Sequence, residues 1–275
     1  MTKLHRASFN FKGSIAVITG AARGQGLSHA AAFAQAGATV IGLDFGRNEN
    51  HPELQYPPTS SEEFSKATAL FSSFGSGNRL IEVDITDTQR LQDVRDELRK
   101  SVNNVDFIIN NAGVNVVKTL DETKHDEISH VLDVNLFGAI NVTKYFSPLI
   151  DPRSNGSIIF TSSLAAQRTG SKQSVYAASK AALEGLTRAL AVELGVRNIR
   201  VNCVAPTLVI TPQTIGLASS SPIDYIKAMS SYALPNFEGL QPSDVSDVIL
   251  FLCSDAARSI TGSSIALDCG RLAKA

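Results

Sequence analysis

Tyr176-Ala177-Ala178-Ser179-Lys180 sets a phenol and an ammonium four residues apart, a spacing that puts both side chains on one face of a helix. A phenol with its ordinary pKa near ~10 is a poor base at neutral pH, but a nearby cation favours the phenolate and lowers that value. Lys180 is therefore the natural activator of a Tyr176 acid/base. In isolation such a pair is most often a solvated surface contact. Ser163 lies thirteen residues before Tyr176, at the end of a β-branched run. Its hydroxyl could hold a substrate oxygen beside the phenol, where a serine after a strand otherwise caps a turn or helix.

A second constellation sits near the start, where Thr19 to Gly26 reads TGAARGQG directly after the apolar run Ile15-Ala16-Val17-Ile18. A glycine-rich turn between strand and helix lets the backbone approach a pyrophosphate, and the helix N-terminus offers unpaired N–H groups. Gly20, Arg23, Gly24, Gln25 and Gly26 are thus candidate nucleotide contacts, although the spacing departs from G-x-G-x-x-G. Asp44 ends the second apolar run, about twenty residues on, where a carboxylate accepts hydrogen bonds from an adenosine ribose and repels a 2′-phosphate. That favours NAD over NADP. Asp84, followed by Ile85, also ends a run, but its sequence DITD equally suits a turn and helix cap.

These groups need a scaffold. Ile15–Thr19, Thr39–Asp44, Leu80–Asp84, Val105–Asn110, Ser157–Ser162, Ile199–Val204 and Ser264–Asp268 are apolar almost throughout and alternate with helical patterns. The alternation predicts parallel strands with crossover helices on both faces, an α/β doubly wound sheet in a single domain. Residues 27–36 predict a helix stopped by Gly37. Thr86 to Gln89 has capping-box spacing, with Gln89 reaching back to the N-cap amide. Residues 123–147 predict a long helix with Ile128, Val131, Leu132 and Ile140 inward, and residues 174–195 a second. Two excursions interrupt the alternation: an insertion at about 45–77, in which Ser60-x-x-Glu63 caps a helix, and a substrate lid at about 212–242.

The 275 residues carry 43% hydrophobic and 19% charged side chains and a net charge of −1, a balance that argues against disorder and against a nucleic-acid partner. No apolar run approaches the ~18 residues of a membrane span, and the first residues lack a signal-peptide core, so a cytoplasmic protein is expected. Cys203, Cys253 and Cys269 are too few and scattered for a disulfide framework. His125 and His130, five apart, fall on different helix faces, and no metal site is predicted.

Taken together, TGAARGQG, Asp44, NNAG at 110–113, Asn135 in DVNLFG, Ser163, Tyr176 with Lys180, and the C-terminal ITG and LDCG resemble the short-chain dehydrogenase/reductase family over nearly the whole chain. The resemblance implies a seven-stranded Rossmann-type fold, usually a homotetramer, that moves hydride between a nicotinamide and an alcohol or carbonyl carbon of a small-molecule substrate. By it, Tyr176 is the general acid/base, Ser163 orients substrate, Lys180 activates Tyr176 and holds a ribose, and Asn135 anchors a proton-relay water. Asn111, Ala112 and Gly113 line the adenosine and ribose side, and Pro206, Val209 and Thr211 the nicotinamide side, Thr211 on the carboxamide.

One departure stands out. Pro206-Thr207 replaces the Pro-Gly common in the family, and PTLVITP, TGAARGQG followed by SHA, and the inserted YPPTSSEEF resemble the carveol dehydrogenase-like subgroup. That subgroup implies tightly held NAD, an insertion closing over the adenosine end, and mycofactocin as an external electron acceptor. Leu164, Leu208, Ile210, Met229, Leu234 and Phe237 would give an apolar pocket suited to an alicyclic, terpene-type secondary alcohol. Within enzymes the alternative is a 3-oxoacyl or 3-hydroxyacyl thioester oxidoreductase. Outside them it is a non-catalytic NAD-binding sensor.

Overall fold

All seven β-branched runs form strands in the computed structural model, which describes residues 9–46, 56–102, 104–220, 232–234 and 238–274. The strands are β1 (Ile15–Thr19), β2 (Thr39–Asp44), β3 (Arg79–Glu82), β4 (Phe107–Asn110), β5 (Ser157–Thr161), β6 (Arg200–Pro206) and β7 (Ser264–Leu267). They make one parallel sheet in the order β3-β2-β1-β4-β5-β6-β7. Around it stand α1 (Gly24–Gln35), α2 (Ser61–Ser73), α3 (Thr88–Ser101), α4 (His125–Leu132), α5 (Ala139–Phe146), α6 (Ser174–Gly195), α7 (Pro212–Ser220) and α8 (Pro242–Cys253).

The unbroken apolar character of the strands follows from burial on both faces. Alternate residues of β1 enter opposite layers: Ala16 and Ile18 pack with Ala30 and Phe33 of α1 and Ile249 of α8, while Val17 packs with Leu91 of α3, Phe146 of α5 and Leu183 of α6. β1 also pairs with both β2 and β4. The chain leaves β1 toward one edge and returns on its other side, so a crevice opens beyond the C-terminal ends of these strands.

Of the two capping boxes expected from the sequence, one forms and one does not. The cap of α3 is Asp87, whose Oδ1 accepts from the N–H groups of Gln89 and Arg90 at 3.0 Å each. Gln89 does not reach back; its amide donates to Asp93, because the shorter Asp87 carboxylate already satisfies the first-turn donors. The predicted box on α2 does form, with Ser60 Oγ accepting from Glu63 N at 3.1 Å and Glu63 Oε2 accepting from Ser60 N at 2.8 Å.

The long helix predicted over 123–147 is interrupted. Between α4 and α5 the residues Asp133–Gly138 form a π-turn, which inserts extra residues per turn and rotates the inward face. Val131 stays buried, whereas Ile128, Leu132 and Ile140 are only half-buried, and Asn135, Val142 and Phe146 occupy the interior instead.

Candidate functional site

The glycine turn is shaped by close approach rather than by flexibility. A Cβ on Gly26 would lie 1.9 Å from the carbonyl oxygen of Gly20, and one on Gly20, at φ +65°, would lie 3.0 Å from Ala112 Cα. Gly26 therefore packs α1 against the turn and does not face the crevice. The turn is tied to β4 by Thr19 Oγ1, which accepts from the N–H groups of Asn111 and Ala112 at 3.0 Å, and by Asn111 Nδ2, which donates to Thr19 O at 3.0 Å. α1 begins at Arg23 with no side-chain cap, so its first amides remain available to an anion.

Beyond the strand ends lies a cavity of about 190 Å3 lined by Gly20, Arg23, Gly24, Gln25, Asp44, Asp84, Ile85, Asn111, Ala112, Gly113 and Thr211. A smaller one of about 90 Å3 is lined by Ser163, Tyr176, Lys180, Pro206 and Val209. Both cavities share Gln25, Asn111, Gly113, Thr211 and Gln213. They form one cleft with a nucleotide-sized end and a catalytic end, and it brings together every sequence-predicted site residue except Gly26 and Asn135.

Asp44 Oδ2 accepts from Ala22 N at 2.7 Å and Oδ1 from Phe45 N at 2.8 Å, leaving one lone-pair direction on each oxygen for ribose hydroxyls. Burial pushes its carboxyl upward, while the two amides and then Arg23 pull it back. Asp84 serves the turn rather than the helix cap, accepting from Thr86 N at 2.8 Å and Thr86 Oγ1 at 2.7 Å through one oxygen.

At the catalytic end Lys180 Nζ donates to Thr161 O at 2.8 Å and lies 5.7 Å from the centre of the Tyr176 ring. The expected lowering of the Tyr176 pKa is overturned: burial raises it, a hydrogen bond with Ser163 only partly opposes that, and a second phenol, Tyr56, adds to the rise. Burial likewise pushes Lys180 down, to about 8. Loss of hydration around the half-buried ring outweighs a cation held over the ring face and shared with a carbonyl. Ser163 Oγ accepts from Ala165 N at 3.2 Å, capping a short 3-10 turn.

Asn135 stands apart from the cleft. Its Nδ2 donates to Val114 O at 2.9 Å and to Ser179 Oγ at 3.0 Å, and its Oδ1 accepts from Val114 N at 2.7 Å. Both amide hydrogens are consumed within the protein, so the side chain braces the loop after β4 against α6. Of the predicted apolar pocket, four residues fall among the described ones. Leu164 is buried in the core, and Leu208 and Ile210 do not line the catalytic cavity, whose wall includes Thr161, Ser162, Thr207 and Thr214. Leu234 is 58% exposed; Met229 and Phe237 lie outside the described residues, as do 47–55 of the insertion and 221–231 and 235–237 of the lid.

Tyr56 and Gln213 were not anticipated. Tyr56, 5% exposed, lines the larger cavity, and its hydroxyl accepts from Asn115 N at 3.1 Å and Gln213 Nε2 at 2.9 Å. The available signal was one aromatic residue inside a polar, proline-rich run, and an isolated aromatic in such a run is a candidate for burial. His130, Pro58 and Thr59 also line that cavity.

The cleft fits a dinucleotide on its own terms. Gln25 Oε1 lines the cleft buried without a hydrogen-bond partner, the first amides of α1 have no side-chain cap, and Asp44 offers acceptors at the far end. Residues 20–271 match the family described as Enoyl-(Acyl carrier protein) reductase. A short-chain type dehydrogenase/reductase of Mycolicibacterium smegmatis is 36% identical over 96% of this chain and 98% of its own. A 3-oxoacyl-(acyl-carrier-protein) reductase of Thermotoga maritima is 35% identical over 94% and 98%. The crystal structure of a carveol dehydrogenase from Mycobacterium avium in complex with NAD superimposes with a TM-score of 0.87 at 32% identity, covering 97% of this chain and all of that one. With the sheet order, the glycine turn and the Ser163, Tyr176 and Lys180 cluster, these likenesses show that the chain belongs to the short-chain dehydrogenase/reductase family.

Proposed function

We propose that this protein is an NAD-dependent oxidoreductase that interconverts a secondary alcohol and a ketone. The observation that carries the reading is the meeting of Ser163, Tyr176 and Lys180 in a cavity continuous with the nucleotide cleft through Gln25 and Thr211. NAD, when bound, supplies the hydride acceptor or donor. Gln25, Asp44 and the amides opening α1 would hold it, with Thr211 toward the nicotinamide.

Tyr176 takes the hydroxyl proton in oxidation and returns it in reduction. Its proton resides on a half-buried phenol whose pKa desolvation raises, which favours donation to a ketone oxygen at neutral pH. Ser163 orients the same oxygen. Lys180, bonded to Thr161 O, adds a positive field that favours the phenolate as it forms and so stabilises charge where it develops. Asn135 acts indirectly: through Ser179, whose Oγ donates to Tyr176 O at 2.7 Å, it fixes the first turns of α6.

Likeness to the carveol dehydrogenase supports an alicyclic, terpene-type alcohol as substrate. Tyr56, bridging Asn115 and Gln213 over the cleft, supports firm retention of NAD, with an external acceptor such as mycofactocin. The second reading, a 3-oxoacyl or 3-hydroxyacyl thioester substrate, draws support from the Thermotoga maritima relative and from the polar wall of the catalytic cavity. We further propose a homotetramer, for which Phe137, Val192 and Val196, at 52%, 80% and 90% exposure, offer apolar contacts. A cytoplasmic location accords with three free thiols and with the absence, among the described residues, of any helix long and apolar enough to cross a membrane.

Single-turnover reduction tests the reading. Purified protein without added NAD is mixed with alicyclic secondary alcohols or 3-hydroxyacyl thioesters while bound NADH fluorescence is followed, a signal free of tryptophan emission because the chain has none. A burst near one per subunit with the alcohols supports retained NAD. Turnover only with added NAD removes the retention, and turnover only with thioesters replaces the substrate class.

A further inference from the structure

At the adenosine end of the cleft the Arg23 guanidinium faces two carboxylates. Arg23 follows the glycine turn and lines the nucleotide cavity together with Asp44. Its Nη1 lies 3.9 Å from Glu63 Oε2, with side-chain exposures of 21% and 41%. Glu63 comes from the insertion, in the first turn of α2, and the capping box holds it there: the same Oε2 accepts from Ser60 N at 2.8 Å. Its reach toward Arg23 therefore costs no further side-chain ordering.

The electrostatics of this corner are ambiguous without Glu63. A guanidinium beside the ribose end would by itself recruit a phosphate, by charge and by its planar fork of donors. Asp44 opposes that, but each of its oxygens is already engaged by a backbone N–H, which spreads its charge into the turn. The positive end of α2 would add to the attraction for a phosphate. With Glu63 present, one cation meets two carboxylates, and a 2′-phosphate finds net repulsion where a 2′-hydroxyl finds acceptors.

Resting on the dinucleotide reading above, we propose that Glu63 is a specificity-determining residue that, with Asp44, excludes NADP by occupying Arg23. The three charges act as a unit: Glu63 raises the Asp44 carboxyl and Arg23 lowers it, so all three lie within one another's field.

A merely structural Glu63 would be the cap of α2, and glutamine keeps that cap because its carbonyl accepts the same amide. Glu63→Gln thus removes the charge alone. NAD and NADP binding are measured by titration calorimetry, without substrate and after any retained nucleotide has been removed, on the wild type, Asp44→Ala, Glu63→Gln and Glu63→Gln combined with Arg23→Gln. The proposal expects Glu63→Gln to shift the NADP-to-NAD affinity ratio toward NADP by about fivefold. Adding Arg23→Gln should cancel the gain, and salt should diminish it. An affinity ratio in Glu63→Gln within about twofold of wild type, while NAD still binds, overturns the proposal and leaves Glu63 a cap. A wild type that binds neither dinucleotide overturns the cofactor reading and this inference together.

Discussion

Tyr56 and Gln213, 157 residues apart in the chain, meet over the cleft, where the Tyr56 hydroxyl accepts a hydrogen bond from Gln213 Nε2 at 2.9 Å. The same hydroxyl accepts from Asn115 N at 3.1 Å. Three segments beyond the strand ends, following β2, β4 and β6, are thereby joined through one buried phenol. Tyr56→Phe keeps the ring but leaves the Asn115 amide and the Gln213 amide without their shared acceptor, a cost of about 1–3 kcal/mol. NAD should dissociate roughly tenfold faster, as read by stopped-flow displacement with excess unlabelled nucleotide. An unaltered off-rate would show that the bridge has no part in retention.

Tyr176→Phe separates binding from chemistry. Turnover should fall on the order of 10²–10⁴-fold, while calorimetry still finds NAD bound. A protein that signals by binding NAD would keep its output in this variant, and that result would remove the enzymatic reading.

The pH profiles should run in opposite senses. Oxidation needs the phenolate and reduction the phenol, and burial holds Tyr176 above its ordinary value of 10.0. Alcohol oxidation should therefore keep rising through the alkaline range where ketone reduction begins to fall. Parallel profiles in the two directions would exclude Tyr176 as the group that exchanges the proton.

Gly26→Ala should abolish NAD binding and destabilise the fold. The added methyl would lie 1.9 Å from Gly20 O and 2.7 Å from Asn111 Nδ2, and both belong to the turn that must stay in place. Calorimetry and a urea melt on the same preparation test this; native affinity would show that the turn can shift to admit a side chain.

His29 should make the protein acid-sensitive. It is fully buried in α1, its Nδ1 hydrogen-bonded with Ser246 Oγ of α8 at 2.8 Å, and burial lowers its pKa from 6.5 to about 3. Above pH 6.5 neither state binds the proton. As pH falls below that value the unfolded chain takes up a proton the folded chain refuses, so stability declines toward about pH 3. The loss should amount to a few kcal/mol, on the order set by 1.36 kcal/mol per pKa unit. Urea midpoints at pH 7 and pH 4.5 for the wild type and His29→Asn test it: the variant should lose less on acidification.

The motif residues proved legible because their chemistry is local. Strand identity followed from apolar, β-branched runs, and the pairing of Tyr176 with Lys180 followed from helical spacing, since residues four apart on a helix share a face. The inward face of residues 123–147 was misjudged for the same reason. A regular period carried through Asp133–Gly138 cannot anticipate a π-turn, within which Asn135 is held by Val114 and Ser179 from other parts of the chain.

Two further properties belonged to tertiary structure alone. The direction of the Tyr176 pKa depends on how much water the assembled cleft removes, and no spacing records that. The meetings of Tyr56 with Gln213 and of Arg23 with Glu63 depend on where the insertion returns to the cleft. What the sequence by itself determined was the order of strands and helices and the reactive groups at their ends, because local pattern and short-range geometry suffice for those. Which groups lose their water, and which distant side chains share a charge or a proton, was decided only when the parallel sheet brought the ends of β1, β2, β4 and β6 to one side.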